Sequence, residues 1–241
     1  MVQATDSHIL ILLFLGGYSF GQKKDIFEIV KEVKSEQKLK EIKLEIDSIY
    51  NCNRFFFEDE KYNVNVDCIK NWGGTVTFTN KITNSKFTSG STCPIILNKF
   101  NGKYIVTNTS FHLIYNTEIL EIINPEILKK YNESEKLKID IIKGRLNTKT
   151  LLNKFYYCTL ISFVFKKNFF HIVSNEKETF IAEIIDGEFK KRQSLLMKNC
   201  STINSRIIRN SNNNFVLYYD NYSNHGIIEI KENLIKIISS I

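Results

Sequence analysis

Two textures of hydrophobic patterning divide this chain. Over Asp25 to about Tyr50 apolar residues recur at helical spacing: Ile26, Ile29/Val30 and Val33, then Leu39, Ile42, Ile46 and Ile49. Lys and Glu fill the other faces and neither Gly nor Pro interrupts, which predicts an amphipathic helix. The phase slips near Ser35-Glu36-Gln37-Lys38, so a bend or two shorter helices is expected there. From Arg54 the period falls to two. Arg54–Phe57, an acidic turn at Glu58-Asp59-Glu60 and the alternating Tyr62–Val66 predict a hairpin. Gly74–Thr79 and Lys86–Thr88 flank a turn at Asn84-Ser85, and Ile95–Leu97 and Tyr104–Val106 flank Asn101-Gly102, a strong hairpin signal.

A weak recurrence runs through the second half. Asn101–Asn108 is followed by Glu118–Ile122, Asn168–Asn175 by Phe180–Ile184, and Asn213–Asp220 by Gly226–Ile230. Each unit is a polar turn, an apolar strand, a polar loop and a second strand closing on Glu-Ile. Meanders recurring at such spacing suit propeller blades, although unrelated hairpins also resemble one another. Near 124–155 a helical insert is expected, because Asn124-Pro125-Glu126 is a helix-start signal and Asn147 before Thr148–Phe155 offers another. The fold class expected is therefore mainly β. It is an antiparallel meander of β-hairpins, propeller-like if the recurrence is real, with an N-terminal helix and a small helical insert.

The N-terminus reads as an address. Ile9–Leu15 is a short apolar core, and cutting after Gly21 would leave small residues Ser19 and Gly21 at −3 and −1, as signal peptidase requires. The tail Ser19-Phe20-Gly21-Gln22 resembles export signals common in one group of Gram-negative bacteria, which implies a destination and no activity. Met1–His8 departs from the pattern, carrying Asp6 and no Lys or Arg. A mis-assigned start codon would explain that. The alternative is an N-terminal element buried in the domain, leaving a cytoplasmic interaction protein. The division expected is 1–21 export signal, 22–51 helical segment and 52–241 β-rich domain. Beyond the first residues no apolar run approaches the ~20 residues of a membrane span, so the mature chain is expected to have no transmembrane anchor.

Charge adds a preference for anionic partners. The chain carries +7, almost all of it lysine, within a general excess of Asn, Lys, Ile and Phe that A/T-rich coding would produce unaided. Arginine is confined to Arg54, Arg145, Arg192, Arg206 and Arg209, so nucleic acid is not the expected partner. An anionic envelope polymer or a protein partner fits better. The cysteines are Cys52, Cys68, Cys93, Cys158 and Cys200, without metal-binding spacing. In an oxidising compartment they suggest two disulfides and a spare thiol; otherwise they are five buried thiols. A hairpin turning around Glu60 would face Cys52 with Cys68, while a slip of one residue would make Cys68–Cys93 the substitute; Cys158–Cys200 is the second expected pair.

No catalytic motif is complete: there is no Gly-x-Ser-x-Gly, no His-Glu-x-x-His and no phosphate-cradling loop. After residue 21 the histidines are His112, His171 and His225, of which the first and last fall in equivalent polar loops and are candidate ligand contacts, as against ordinary exposed loop residues. Trp72, beside Gly73-Gly74, is a candidate stacking platform for a sugar or peptide, as against a core or edge residue. No catalytic residue, metal ligand or cofactor is expected. The function expected is a non-enzymatic exported envelope or periplasmic binding protein. The rival is an exported hydrolase whose acids, among Asp67, Glu121, Asp140, Glu183 and Glu229, meet only in the fold.

Overall fold

A computed structural model of the protein describes residues 25–52, 56–69, 73–111, 114–131, 145–197, 205–210, 214–220 and 225–240. Strand β1 (Glu28–Lys34) leads into the one described α-helix, α1 (Glu36–Cys52). Four meanders follow. The first holds β2 (Phe57–Glu58), β3 (Tyr62–Ile69), β4 (Gly73–Asn80) and β5 (Lys86–Ser91). The second holds β6 (Pro94–Phe100), β7 (Lys103–Phe111) and β8 (Tyr115–Ile122); after it β9 (Lys129–Lys130) returns to pair with β5, and β10 (Lys149–Phe155) pairs with β8. The third is β11 (Cys158–Phe165), β12 (Asn168–Ser174), β13 (Thr179–Ile185) and β14 (Glu188–Met197). The last is β15 (Arg206–Arg209), β16 (Phe215–Asp220), β17 (His225–Lys231) and β18 (Leu234–Ser240). Within the sheets neighbours are antiparallel, except that β1 joins the outer edge of the fourth sheet parallel to β18. The protein is mainly β, as its alternating pattern predicts.

The local turn signals hold. Asn101 and Gly102 both take positive φ, at 49° and 76°, to close β6 onto β7, which is the left-handed pair a tight hairpin needs. Asn84 does the same at φ 56° between β4 and β5. Glu-Ile closes three strands, β8, β13 and β17, and each is the third strand of its own sheet.

Three expectations are corrected. The long helix from Asp25 is a strand followed by a helix, and the phase slip at Ser35 marks the boundary: Ser35 accepts from Lys38 N through Oγ and from Leu39 N through its carbonyl. Ile29, Val30 and Val33 suit a strand as well as a helix, and the exposed edge of β18 decides between them. Of the expected helical insert, the described residues hold a 3-10 turn at Pro125–Ile127, capped by Asn124 Oδ1 on Glu126 N at 3.0 Å. Thr148–Phe155 contributes strand β10, drawn into the edge of β8 with a bulge between Thr150 and Leu152; residues 132–144 lie outside the described residues.

The third correction is the first hairpin. It pairs Phe57 with Val64 and Glu58 with Asn63, one residue away from a turn centred on Glu60. Asp59 sets that register: its amide donates to Tyr62 O, and its Oδ1 accepts from Lys61 N and Tyr62 N, so the loop is Glu60-Lys61. Cys52 is then the last residue of α1, not a strand residue opposite Cys68. The disulfide joins Cys68 to Cys93, Cα–Cα 5.1 Å, tying the end of β3 to the segment that enters β6. Cys158 is buried on β11, while Cys200 lies outside the described residues, so their pairing is not described.

Each sheet packs on the next in chain order. Tyr62, Val64, Val76 and Phe78 of the first meet Leu97, Tyr104, Val106 and Leu120 of the second. The second meets the third through Ile105, Ile119 and Leu152, together with a layer of buried hydroxyls. Leu160, Phe163 and Phe170 of the third meet Phe215, Leu217 and Ile228 of the fourth, with Phe27 inserted among them. Helix α1 lays Leu39 and Ile46, one face at helical spacing, on Ile208, Tyr218, Ile227 and Ile238. At Gly74 a methyl group would overlap the carbonyl of Asp67, so only glycine lets β3 and β4 approach there.

Candidate functional site

Strands of three sheets meet around one guanidinium, and an asparagine extends the junction to the remaining one. Arg209 on β15 donates from Nη2 to Leu97 O at 3.0 Å and to Asn98 Oδ1 at 2.5 Å, both on β6. Its guanidinium carbon stands 5.5 Å from the ring centroid of Phe57 on β2 and 5.0 Å from that of Phe215. Asn98 Nδ2 in turn donates to Ser162 O on β11 at 2.9 Å. Strands from all four sheets are thus joined through one arginine and one asparagine.

Beside this junction lies a cleft of about 400 Å³. Phe56, Phe57, Ile96, Leu97 and Ile207 form its apolar wall; Asn65, Glu58, Tyr50 and Arg209 supply its polar groups. Burial pushes the Arg209 guanidinium down to about 10, still far above neutrality, so it stays charged. Among the described residues no carboxylate lies within ion-pair distance of it, and Glu58 on the same wall is held by Lys81 at 2.6 Å. Two aromatic faces and two neutral oxygens compensate the charge in part. The site can therefore take an anionic group that enters from the cleft.

No protein-family model, curated protein or solved structure matches this chain. The site therefore rests on its own chemistry.

Of the residues expected from the sequence to contact ligand, Trp72 and His112 lie outside the described residues. His225 opens β17, and its Nε2 meets Glu36 Oε2 at 3.0 Å, in the first turn of α1. That hydrogen bond is the leading cause holding the Glu36 carboxyl below its usual range. His225 is thus a tie between helix and sheet, away from the cleft.

The acids named for a hydrolase do not converge. Asp67 accepts from Thr75 N on the neighbouring strand at 2.7 Å. Glu121 pairs with Lys103 at 3.0 Å, and Glu183 pairs with Arg192. Glu229 stands opposite Lys236 on β18. They lie on four sheets or strand pairs, each beside a local partner, and Asp140 is outside the described residues. Glu118, which the sequence pattern did not single out, is 2% exposed and forked by Arg145 at 2.5 and 2.8 Å, with Thr92 Oγ1 donating to it at 2.6 Å. That closed network clamps the second sheet to the segment before β6. Arg209 of this cleft was not singled out in the sequence, although a charged side chain ending the apolar pair Ile207-Ile208 was the available signal.

Proposed function

We propose that this protein is a non-enzymatic exported binding protein of the cell envelope, and that it takes an anionic group of its ligand in the Arg209 cleft. The observation that carries this reading is a part-buried arginine near two aromatic rings, with no carboxylate at ion-pair distance among the described residues, at the wall of a cleft lined by three sheets. Binding sites favour such convergence points, where apolar walls surround a few polar groups. The overall charge of +7 would raise the local concentration of a polyanionic envelope polymer or acidic partner. The disulfide Cys68–Cys93 supports an oxidising compartment, and with it the export address at 1–21. The equivalent placement of Glu-Ile on three third strands supports a repeated four-stranded unit, the form a propeller-like arrangement would take.

Thermal-shift and calorimetric titrations with phosphate, succinate and oligogalacturonate test the site. Saturable binding of at least one anion is expected, abolished in Arg209→Met. Because Arg209 also braces the fold, Asn65→Trp, on an exposed strand position at the cleft, supplies a variant that blocks entry without touching the guanidinium. Anion binding unchanged in both variants, or no saturable binding by the wild type, would overturn the reading.

A further inference from the structure

The Arg209 guanidinium is a single charge in an otherwise apolar setting. Val66 on β3 and Ile95 on β6 extend the cleft wall formed by Phe56, Phe57 and Ile207. Each of these five side chains is partly buried, packed against the core on one side and retaining surface on the other. A ligand that covers that surface gains from removing it from water. At about 400 Å³ the cleft is near the small end of ligand pockets, enough for one head group with a short chain.

The charges on the wall set how many anionic groups can be met. Arg209 is the one cation among the described residues that line the cleft, and Glu58 is already held by Lys81. A polyanion would find one partner here and would leave its other charges dehydrated against apolar side chains. A single anionic group matches. Nη2 directs its two hydrogens to Leu97 O and Asn98 Oδ1. The three further donors of a guanidinium are on Nη1 and Nε, an edge whose spacing suits the two oxygens of a carboxylate. The bonds to β6 hold the guanidinium in place before a ligand arrives, so little side-chain freedom is lost on binding.

We propose that the ligand of this cleft is a monocarboxylate with an aliphatic tail, its carboxylate on Arg209 and its chain along Val66, Ile95 and Ile207. This rests on the reading of the cleft as an anion site and adds the class of molecule that fills it. A buried methylene is worth about fourfold in affinity, so binding should tighten with chain length until the cleft is full.

Calorimetric titration of the full chain at pH 7 provides the test, with acetate, butanoate, hexanoate and octanoate as the series, 1-octanol as the neutral analogue and succinate as a short dianion. One site per chain is expected, with affinity rising roughly tenfold for every two methylenes. Octanoate should bind at least about tenfold more tightly than 1-octanol or succinate. Arg209→Met should bring octanoate down to the level of 1-octanol. Asn65→Trp, at an exposed position on the cleft, leaves the guanidinium in place and should abolish binding of the whole series, which keeps the test intact if Arg209→Met does not fold. Anion binding in which octanoate is no tighter than acetate, or is matched by succinate, overturns the aliphatic ligand and leaves the anion site standing. Octanoate bound undiminished by Asn65→Trp lies elsewhere on the surface and overturns the proposal. No saturable binding of any anion, or octanoate bound undiminished by a folded Arg209→Met, overturns both readings.

Discussion

Replacing Asp59 by Asn tests whether one turn carboxylate holds the first two sheets together. Its Oδ1 accepts from the amides of Lys61 and Tyr62, while Oδ2 accepts from Lys99 Nζ at 2.8 Å and Tyr104 Oη at 2.7 Å. Burial pushes the carboxyl up, but the Lys99 ammonium, the Tyr104 hydroxyl and the two amides outweigh it and hold it at about 2, against an ordinary 3.8. The same contact pushes the Tyr104 hydroxyl upward, after burial. At about 1.4 kcal/mol per pH unit, the depression of the carboxyl corresponds to about 2 kcal/mol. Lys99 is 35% exposed and solvent screens its share, so the expected net effect is about 1 to 2 kcal/mol. A carboxyl whose folded value is depressed stabilises fully above its unfolded value and loses that contribution as pH falls through the folded one. Urea unfolding at pH 7 should therefore show Asp59→Asn less stable by about 1 to 2 kcal/mol. The difference should shrink as pH falls from 4 towards 2. A difference that stays constant with pH, or a variant as stable as the wild type at pH 7, would refute the reasoning.

Reduction of Cys68–Cys93, or its replacement by two alanines, should lower unfolding free energy by about 3 kcal/mol for a loop with its ends 25 residues apart. A urea midpoint insensitive to reductant would contradict it. Leu39→Ala should cost about 2 to 4 kcal/mol, because Leu39 is 1% exposed between α1 and the fourth sheet. A thermal melt lowered by less than a degree would show that the helix is not held there.

What the sequence disclosed was local. Asn101-Gly102 and the alternation of Tyr62–Val66 specify their hairpins within a few residues, so their elements could be read without knowing any partner. Glu28–Lys34 could not, because the edge that makes it a strand belongs to residues 234–240. Thr148–Phe155 became β10 for a similar reason, since the edge of β8 was already present to receive it. The register at Asp59 turned on a single side chain capping its own turn, a one-residue difference that also redirected Cys68 to Cys93. The Arg209 cleft was the least legible feature, since Phe57, the Leu97-Asn98 pair and Arg209 lie far apart in the chain and come together only when the sheets have packed.

The parallel pairing of β1 with β18 has a kinetic consequence. Roughly 200 residues separate the paired segments, and contacts of such long range are formed slowly because a large loop must close first. A chain growing from its N-terminus would present Glu28–Lys34 long before its partner exists, leaving the fourth sheet as the last unit to be completed. Until then the apolar residues of β15 to β17 and the underside of α1 would be open to other chains. Refolding yield should accordingly fall with protein concentration, and a holding chaperone would act chiefly on this late-closing edge.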